Sequence, residues 1–396
     1  MANTILTPTA VTRKVAMTLH QKLNFIGRIN RQYDSSYAVD GAKIGDTLKI
    51  RLPNEYTIRT GLTMSTQDIA ETSVSMTMAT VKGVDLNFTS SDLLLNIDDF
   101  NERIIEPATD VLAANIEADA MNMYKEVYNV YDGDGAAFSF TSMANARELL
   151  TNNLAPMSGR TMTLMPNHAT KFMIDTKGLF HSAENVDEQY RRGQVGLTQN
   201  FDCYENTLVP IHTTGTAAKT TGYLSNGATQ SGASITVDTG TTTFLIGDVI
   251  TFAGVFRVHP ETKVSTGVLQ PFVITANSGS SATTLAISPA ATATGARQNV
   301  SNTIADNSAV VKIGAGASET LLQSLAFHRN AFAFVTADLP LPEGVDWAKR
   351  VVTDGISISL IRDFTISDRS FPCRLDVLYG YKAIRPQLAA RIHNDG

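Results

Sequence analysis

Between Thr220 and Glu319 only nine residues in one hundred are charged (Asp238, Asp248, Arg257, Glu261, Lys263, Arg297, Asp306, Lys312 and Glu319), half the 18% of the chain as a whole. Thr, Ser, Ala and Gly take their place. Inside this stretch short alternating runs are separated by turn residues: Ser234 to Val237, Thr242 to Ile246, Val249 to Ala253, Gln270 to Thr275, Thr283 to Ile287, and Ala309 to Ile313. A period of two places successive side chains on opposite faces, so each run can bury one face only. Many such runs between Gly-rich turns predict an antiparallel barrel or sandwich. On both sides the composition is that of a mixed α+β fold, so an all-β domain interrupting one continuous fold is expected, not three domains in series. A chain of 396 residues exceeds what one core usually organises.

The flanks carry their own periods. Val11, Val15, Leu19, Leu23, Ile26 and Ile29 recur at three- and four-residue steps among Arg13, Lys14, Lys22, Arg28 and Arg31, which predicts a helix over Val11 to Ile29. That pattern suits equally a helix lying on its own domain and an arm that docks on another subunit. From Asp46 the period changes to two. Leu48, Ile50 and Leu52, then Tyr56 and Ile58, are answered by Val74, Met76 and Met78, and after a slip near Gly83 by Val84, Leu86 and Phe88. Such a pattern predicts a long, bent hairpin with a bulge and a polar tip over residues 60–72. A hairpin of that length cannot bury its apolar face alone and must lie on something.

Asp98, Asp99 and Glu102 favour the positive end of a helix dipole. Pro107 opens a straight section in which Ile104, Ala108, Leu112, Ile116, Ala120, Met123, Val127 and Val130 form one stripe. Pro107 to Asn129 would span about 35 Å, and Asp132-Gly133-Asp134-Gly135 is expected to end it as a turn. Further on, Met143 to Leu154 and Ala169 to Phe180 are expected helices. Thr161 to Met165, Ala331 to Val335, Ile356 to Arg362 and Arg374 to Tyr381 are expected strands.

Motifs that carry chemistry are missing. The seven histidines are scattered, without the spacing of a zinc site or a neighbouring Cys or Glu at ligand distance. No nucleophile elbow, P-loop or dinucleotide fingerprint occurs, and Gly314-Ala315-Gly316 is a lone GxG that reads as a loop. Asp132 to Gly135 lacks the ligand pattern of a calcium loop. No catalytic, cofactor-binding or metal residue is nominated, and no cofactor is expected. Cys203 and Cys373 read as ordinary buried thiols. With 32 Lys and Arg against 38 Asp and Glu, the net charge of −6 does not suit tight phosphate binding. No run approaches the roughly 18 apolar residues of a membrane span, and the opening Met1-Ala2-Asn3-Thr4 lacks a signal peptide's pattern. A protein made and used in the cytoplasm is expected.

The last strand and tail, from Asp376 through Tyr379-Gly380-Tyr381-Lys382 and Arg385-Pro386-Gln387-Leu388-Ala389 to Ile392, resemble the C-terminus of the coat proteins of short-tailed phages of the Salmonella phage P-twenty-two type. Ile246 to Val255, Val258 to Lys263 and Ser265 to Gln270 resemble that family's insertion domain. Ala2 to Thr7 and Gly45 to Pro53 resemble its opening and the approach to its hairpin. The resemblance implies a major capsid protein with an HK97-like fold. Its parts would be an N-terminal arm (residues 1–40), an E-loop hairpin (41–90), a peripheral domain with a spine helix (91–140), an axial domain (141–219), an inserted β-barrel (220–319) and closing strands (320–396). It implies assembly as pentamers and hexamers into an icosahedral procapsid around scaffolding protein. The shell would mature as double-stranded DNA enters through a portal, touching the DNA only non-specifically, with a decoration protein where one exists. Arg13, Lys14, Arg51, Arg59, Gln67 and Asp68 are the expected intersubunit contacts. Relatives that cross-link covalently join a Lys to an Asn, and no such pair is nominated here. An encapsulin-like compartment and a β-rich tail protein are the rival readings; the phage-type insert argues against the first and the long helix against the second.

Overall fold

The computed structural model describes residues 23–34, 47–64, 66–67, 71–89, 106–176, 196–353, 356–367 and 370–395. In chain order the first elements are β1 (Asn30–Asp34), β2 (Thr47–Arg51), β3 (Ser73–Thr77), β4 (Thr80–Thr89) and α1 (Glu106–Met121). There follow β5 (Val130–Ala137), α2 (Phe140–Asn152), β6 (Arg160–Leu164), α3 (Pro166–Thr176), β7 (Leu197–Thr198), β8 (Phe201–Glu205) and β9 (His212–Thr213). The low-charge stretch holds β10 (Thr220–Ser225), β11 (Gly232–Asp238), β12 (Val249–Phe252), β13 (Phe256–Val258), β14 (Ser265–Leu269), β15 (Phe272–Ile274), β16 (Thr284–Ala291) and β17 (Ala309–Lys312). The chain closes with β18 (Thr320–Leu321), β19 (Gln323–His328), β20 (Phe332–Ala337), β21 (Trp347–Thr353), β22 (Ile356–Arg362), β23 (Ser370–Ala383) and β24 (Ala389–Asp395).

Two compact units divide these elements: Met1–Ile50, Ser73–Met121 and Phe332–Ile384 form unit 1, and Arg51–Thr72, Asn122–Ala331 and Arg385–Gly396 form unit 2. The main sheet of unit 1 runs β1-β20-β23-β22-β21, with β4 also paired to β23. Long β23 is its spine, antiparallel to β4 from Ser370↔Thr89 to Tyr379↔Thr80. Leu375, Val377, Leu378 and Tyr379 are all fully buried, because the strand is covered on both faces. Helix α1 buries Ala108, Leu112, Ile116 and Ala120, the expected stripe. Lys82 Nζ lies 2.7 Å from Asp119 Oδ2, which also accepts from the Tyr379 hydroxyl at 2.6 Å. Phe25, Ile26 and Ile29 are buried, and the Phe25 and Phe332 rings sit 5.8 Å apart.

Several expectations are corrected here. The long helix ends at Met121 and gives way to a 3-10 turn, Asn122–Glu126, so α1 is about 24 Å long instead of 35 Å. Met123 and Val127 are buried as the stripe requires, but in the 3-10 turn and the residue that closes it, the Val127 amide donating to Tyr124 O at 3.0 Å. Asn129 is drawn out of any helix by donating its side-chain amide to Gln387 O and Ala389 O, at 3.2 and 3.0 Å. The bulged hairpin is two separate things: β2 pairs with β3 alone, while β4 joins the large sheet. The slip near Gly83 marks this change of partner. A Cβ on Gly83 would fall 2.5 Å from Leu375 O, so only glycine lets β4 approach β23 this closely. The described end of the N-terminal helix is a single 3-10 turn, Ile26–Arg28; its earlier part, the acidic start at Asp98 to Glu102, and residues 177–180 of the second expected helix lie outside the described residues.

Unit 2 contains a six-stranded mixed sheet, β5-β24-β19-β6-β8-β7, with α2 packed on β5 and β24. Ser139 caps α2 by accepting from the Ser142 amide at 3.4 Å, while Ser142 Oγ accepts in return from the Ser139 amide. The Asp132 to Gly135 segment is part of β5, parallel to β24, not a turn. Its positive φ values at Asp134 (49°) and Gly135 (82°) fall where the register shifts, so the glycines make a bulge.

The same unit holds a closed six-stranded barrel, β10-β11-β16-β15-β12-β17, every pairing antiparallel. Tyr223, Ile235, Phe244, Ile250, Phe252, Phe272, Leu285 and Ile287 fill it, as six strands leave room for side chains only. Thr242 to Ile246, expected as a strand, pairs with no strand. Its amides bond to side chains instead: Thr243 N to Thr216 Oγ1 (2.9 Å), Phe244 N to Ser278 Oγ (2.7 Å), Leu245 N to Asp248 Oδ2 (2.8 Å) and Ile246 N to Asn277 Oδ1 (2.8 Å). Side-chain oxygens here compete successfully with a ladder.

Candidate assembly site

The loop joining β2 to β3, residues 52–72, belongs to unit 2. Thr57 and Gln67 hold its legs together: the Thr57 amide and hydroxyl donate to Gln67 Oε1 at 2.9 and 3.0 Å, and Gln67 Nε2 donates back to Thr57 O at 2.5 Å. Tyr56, Ile58, Leu62 and Met64 are 57%, 95%, 101% and 77% exposed, an exposed apolar group that adds nothing to the core of the subunit.

The expected contact residues fall as follows. Arg51 pairs with Glu71 at 3.0 Å, one leg to the other. The Arg59 guanidinium donates to Gly61 O and, at 3.2 Å, to Thr63 O, shaping the tip. Gln67 forms the clasp. Arg51 at the foot of the loop and Arg59 and Gln67 within it are exposed and support its form rather than reaching away from it; Arg13, Lys14 and Asp68 lie outside the described residues.

A second constellation lies at the root of the barrel, and sequence reasoning missed it. The chain enters and leaves through β9 and β18, an antiparallel pair with Thr320↔Thr213 and Leu321↔His212 in register. Beside it Asp248, 1% exposed, is held by four hydrogen bonds, three accepted by its carboxylate and one donated by its amide. His212 Nε2 donates to Oδ1 at 2.9 Å; the Gly215 and Leu245 amides donate to Oδ2 at 3.0 and 2.8 Å; the fourth, the Asp248 amide's own bond to Leu245 O at 3.0 Å, closes the turn. Burial lowers the pKa of His212 although the Asp248 hydrogen bond opposes the shift. A carboxylate can only accept, so Nε2 carries the proton and Nδ1 accepts from the Tyr124 hydroxyl at 3.1 Å. Arg391, wholly buried, donates to Gly247 O at 2.9 Å and lies over the Tyr124 ring at 5.7 Å. Lys312 Nζ donates to Thr214 Oγ1 at 3.0 Å and to Gly316 O at 2.6 Å.

This cluster ties five distant stretches of sequence, around Tyr124, His212, Asp248, Lys312 and Arg391, to one point. Its His–Asp pair is sealed from solvent, with His212 and Asp248 at 3% and 1% exposure, so no substrate reaches it; its work is to fix the barrel's root. Among the described residues no group of three or more His, Cys, Asp or Glu is placed to hold a metal ion, and no helix is long and apolar enough to cross a membrane.

Comparison with known proteins bears on both constellations. Solved structures similar to the chain include the mature capsid of bacteriophage PhiM1 (12% identity, 94% of this chain and 88% of that one, TM-score 0.45). Mycobacterium phage Che8 gives 12% identity over 91% and 88%, with a TM-score of 0.43. A virus-like particle from Pyrococcus furiosus gives 6% over 97% and 98%, with a TM-score of 0.41. Among curated proteins none matches. A family model described as "P22 coat protein - gene protein 5" matches residues 3–391, which takes in the exposed loop, the barrel and its root. The chain therefore belongs to the P22 coat protein family and is a bacteriophage major capsid protein, a structural subunit and not an enzyme.

Proposed function

We propose that the subunit has the HK97-like shell fold and assembles as pentamers and hexamers into an icosahedral procapsid, which matures around packaged double-stranded DNA. In this reading the loop 52–72 is the E-loop, laid over a neighbouring copy, and the barrel is the family's insertion domain. Scaffolding protein would guide closure, a portal would admit the DNA, and a decoration protein would bind outside where one exists; assembly would take place in the host cytoplasm before the protein resides in the virion shell. The observation that carries the reading is the loop itself, internally clasped yet presenting four large apolar side chains to solvent. A net charge of −6 suits a wall that encloses DNA without gripping it. Interfaces of this kind are individually weak and stabilise a shell by their number. The test is co-expression of the full chain with its scaffolding partner, followed by sedimentation and negative-stain microscopy. Closed shells are expected; monomers of 42.7 kDa alone would refute the proposal.

A further inference from the structure

The stem of the exposed loop and the barrel lie in the same unit, and two side chains from the barrel reach the stem. The Arg297 guanidinium donates to Thr72 Oγ1 on the returning leg. Lys263 Nζ lies 4.0 Å from Glu55 Oε2 on the outgoing leg. Lys263 is held in place by its own surroundings. It sits in the turn between β13 and β14 with φ 59°, its amide donates to His259 O at 2.9 Å, and its ammonium donates to Gln298 O at 3.4 Å. Its side chain is only 17% exposed, so little rotamer freedom is left to lose on meeting Glu55. On the stem, Leu52 and Asn54 are half-buried while Arg51, Pro53 and Glu55 are exposed, and from Tyr56 to Met64 every residue is exposed. One side of the stem is covered and the tip is free. Charge is complementary as well: the barrel offers two cations, and the stem offers the carboxylates of Glu55 and Glu71, the latter shared with Arg51 at 3.0 Å.

We propose that the barrel face around Lys263, Arg297 and the β13–β14 hairpin is a docking surface for the stem of the chain's own 52–72 loop, holding it extended in the free subunit. Each contact alone is weak, as exposed ion pairs are. Placed on opposite legs, however, the two restrain both ends of the loop, and the entropy of holding it open is met before a neighbour arrives. The benefit of a presented tip rests on the assembly function proposed above; the docking does not.

The test uses the soluble full-length subunit before scaffolding protein is added, treated with an arginine-specific protease. Cleavage after Arg59 is followed by mass spectrometry, and circular dichroism monitors the fold. Lys263→Glu, Glu55→Lys and Arg297→Ala should each raise the initial rate of cleavage at Arg59 about two- to fivefold. Combining Lys263→Glu with Glu55→Lys should return it to near the wild-type rate. Single variants that are folded and cleaved at the wild-type rate, or a double variant cleaved as fast as the single ones, would overturn the docking. Normal shells from variants whose Arg59 cleavage has risen and is rescued by the swap would leave the docking standing and count only against the assembly role of the loop.

Discussion

His168 is the residue on which pH acts most simply. It is fully buried, its ring stacks on Phe138 at 5.0 Å, Nδ1 lies 2.8 Å from Ser324 Oγ, and burial lowers its pKa to about 4. His212 and His393 are shifted in the same direction, His393 first by burial and then by Arg391, His212, His168 and Lys312 around it. In the unfolded chain each ring has an ordinary value near 6.5. The unfolded state therefore takes up protons first as the pH falls. Stability is complete above about pH 6.5 and declines on the way to pH 4, His168 alone costing about 2 kcal/mol at pH 5. Urea unfolding of the subunit should show a clearly lower midpoint at pH 5 than at pH 7.5, and His168→Gln should flatten that dependence; equal midpoints would contradict the account. Burial also pushes the thiols of Cys203 and Cys373 up to about 12, at 6% and 4% exposure. Neither should react with a maleimide at pH 8 in the folded subunit, and both should react in denaturant.

Among the elements, the barrel depends most on two rings. Phe252 and Phe272 are fully buried and meet edge to face at 5.7 Å. Phe252→Ala or Phe272→Ala should destabilise the barrel by about 3–5 kcal/mol and drive the subunit into the insoluble fraction; soluble, normally melting variants would show that the pair is not its core. At the root, a Cβ on Gly215 would collide with the Thr243 carbonyl, so Gly215→Ala should also lower the melting temperature. Strands were legible in the sequence where one face is buried, as in β11 with Ile235 and Val237 inside, or where apolar residues are dense, as in β22. Two buried strands that mix polar with small apolar residues were not. β24 reads Ala-Ala-Arg-Ile-His-Asn-Asp and β19 reads Gln-Ser-Leu-Ala-Phe-His, with no alternation to find, and each places polar side chains in the interior. The root was illegible for a related reason. Tyr124, His212, Asp248 and Arg391 are unremarkable singly, and only the β9–β18 pairing and the return of β24 bring them together. The loop was legible in part: its alternation persists to Ile58, but the tip was expected to be polar, and Leu62 and Met64 stand exposed there.

In the whole molecule, that unpartnered tip separates what a subunit needs to fold from what it needs to assemble. Ile58 and Leu62 are 95% and 101% exposed, so in the free subunit neither contributes to a core. Ile58→Asp or Leu62→Asp should leave folding stability within about 0.5 kcal/mol of wild type, as solvated surface positions do. In a shell the same side chains would be covered by a neighbour. Burying a large aliphatic side chain is worth about 1.5–3 kcal/mol, and a carboxylate in its place reverses the sign of that contribution. Because the loss recurs at every copy, a change that the subunit does not register should abolish closure altogether. Melting curves and circular dichroism should therefore match wild type, while sedimentation with scaffolding protein should show subunits and small oligomers without shells. Thr57→Val offers a milder variant, removing only the hydroxyl's bond to Gln67 Oε1, and should slow assembly without preventing it. Shells of normal size and yield from both aspartate variants would mean that the exposed tip is not an intersubunit surface, whatever the chain's family membership.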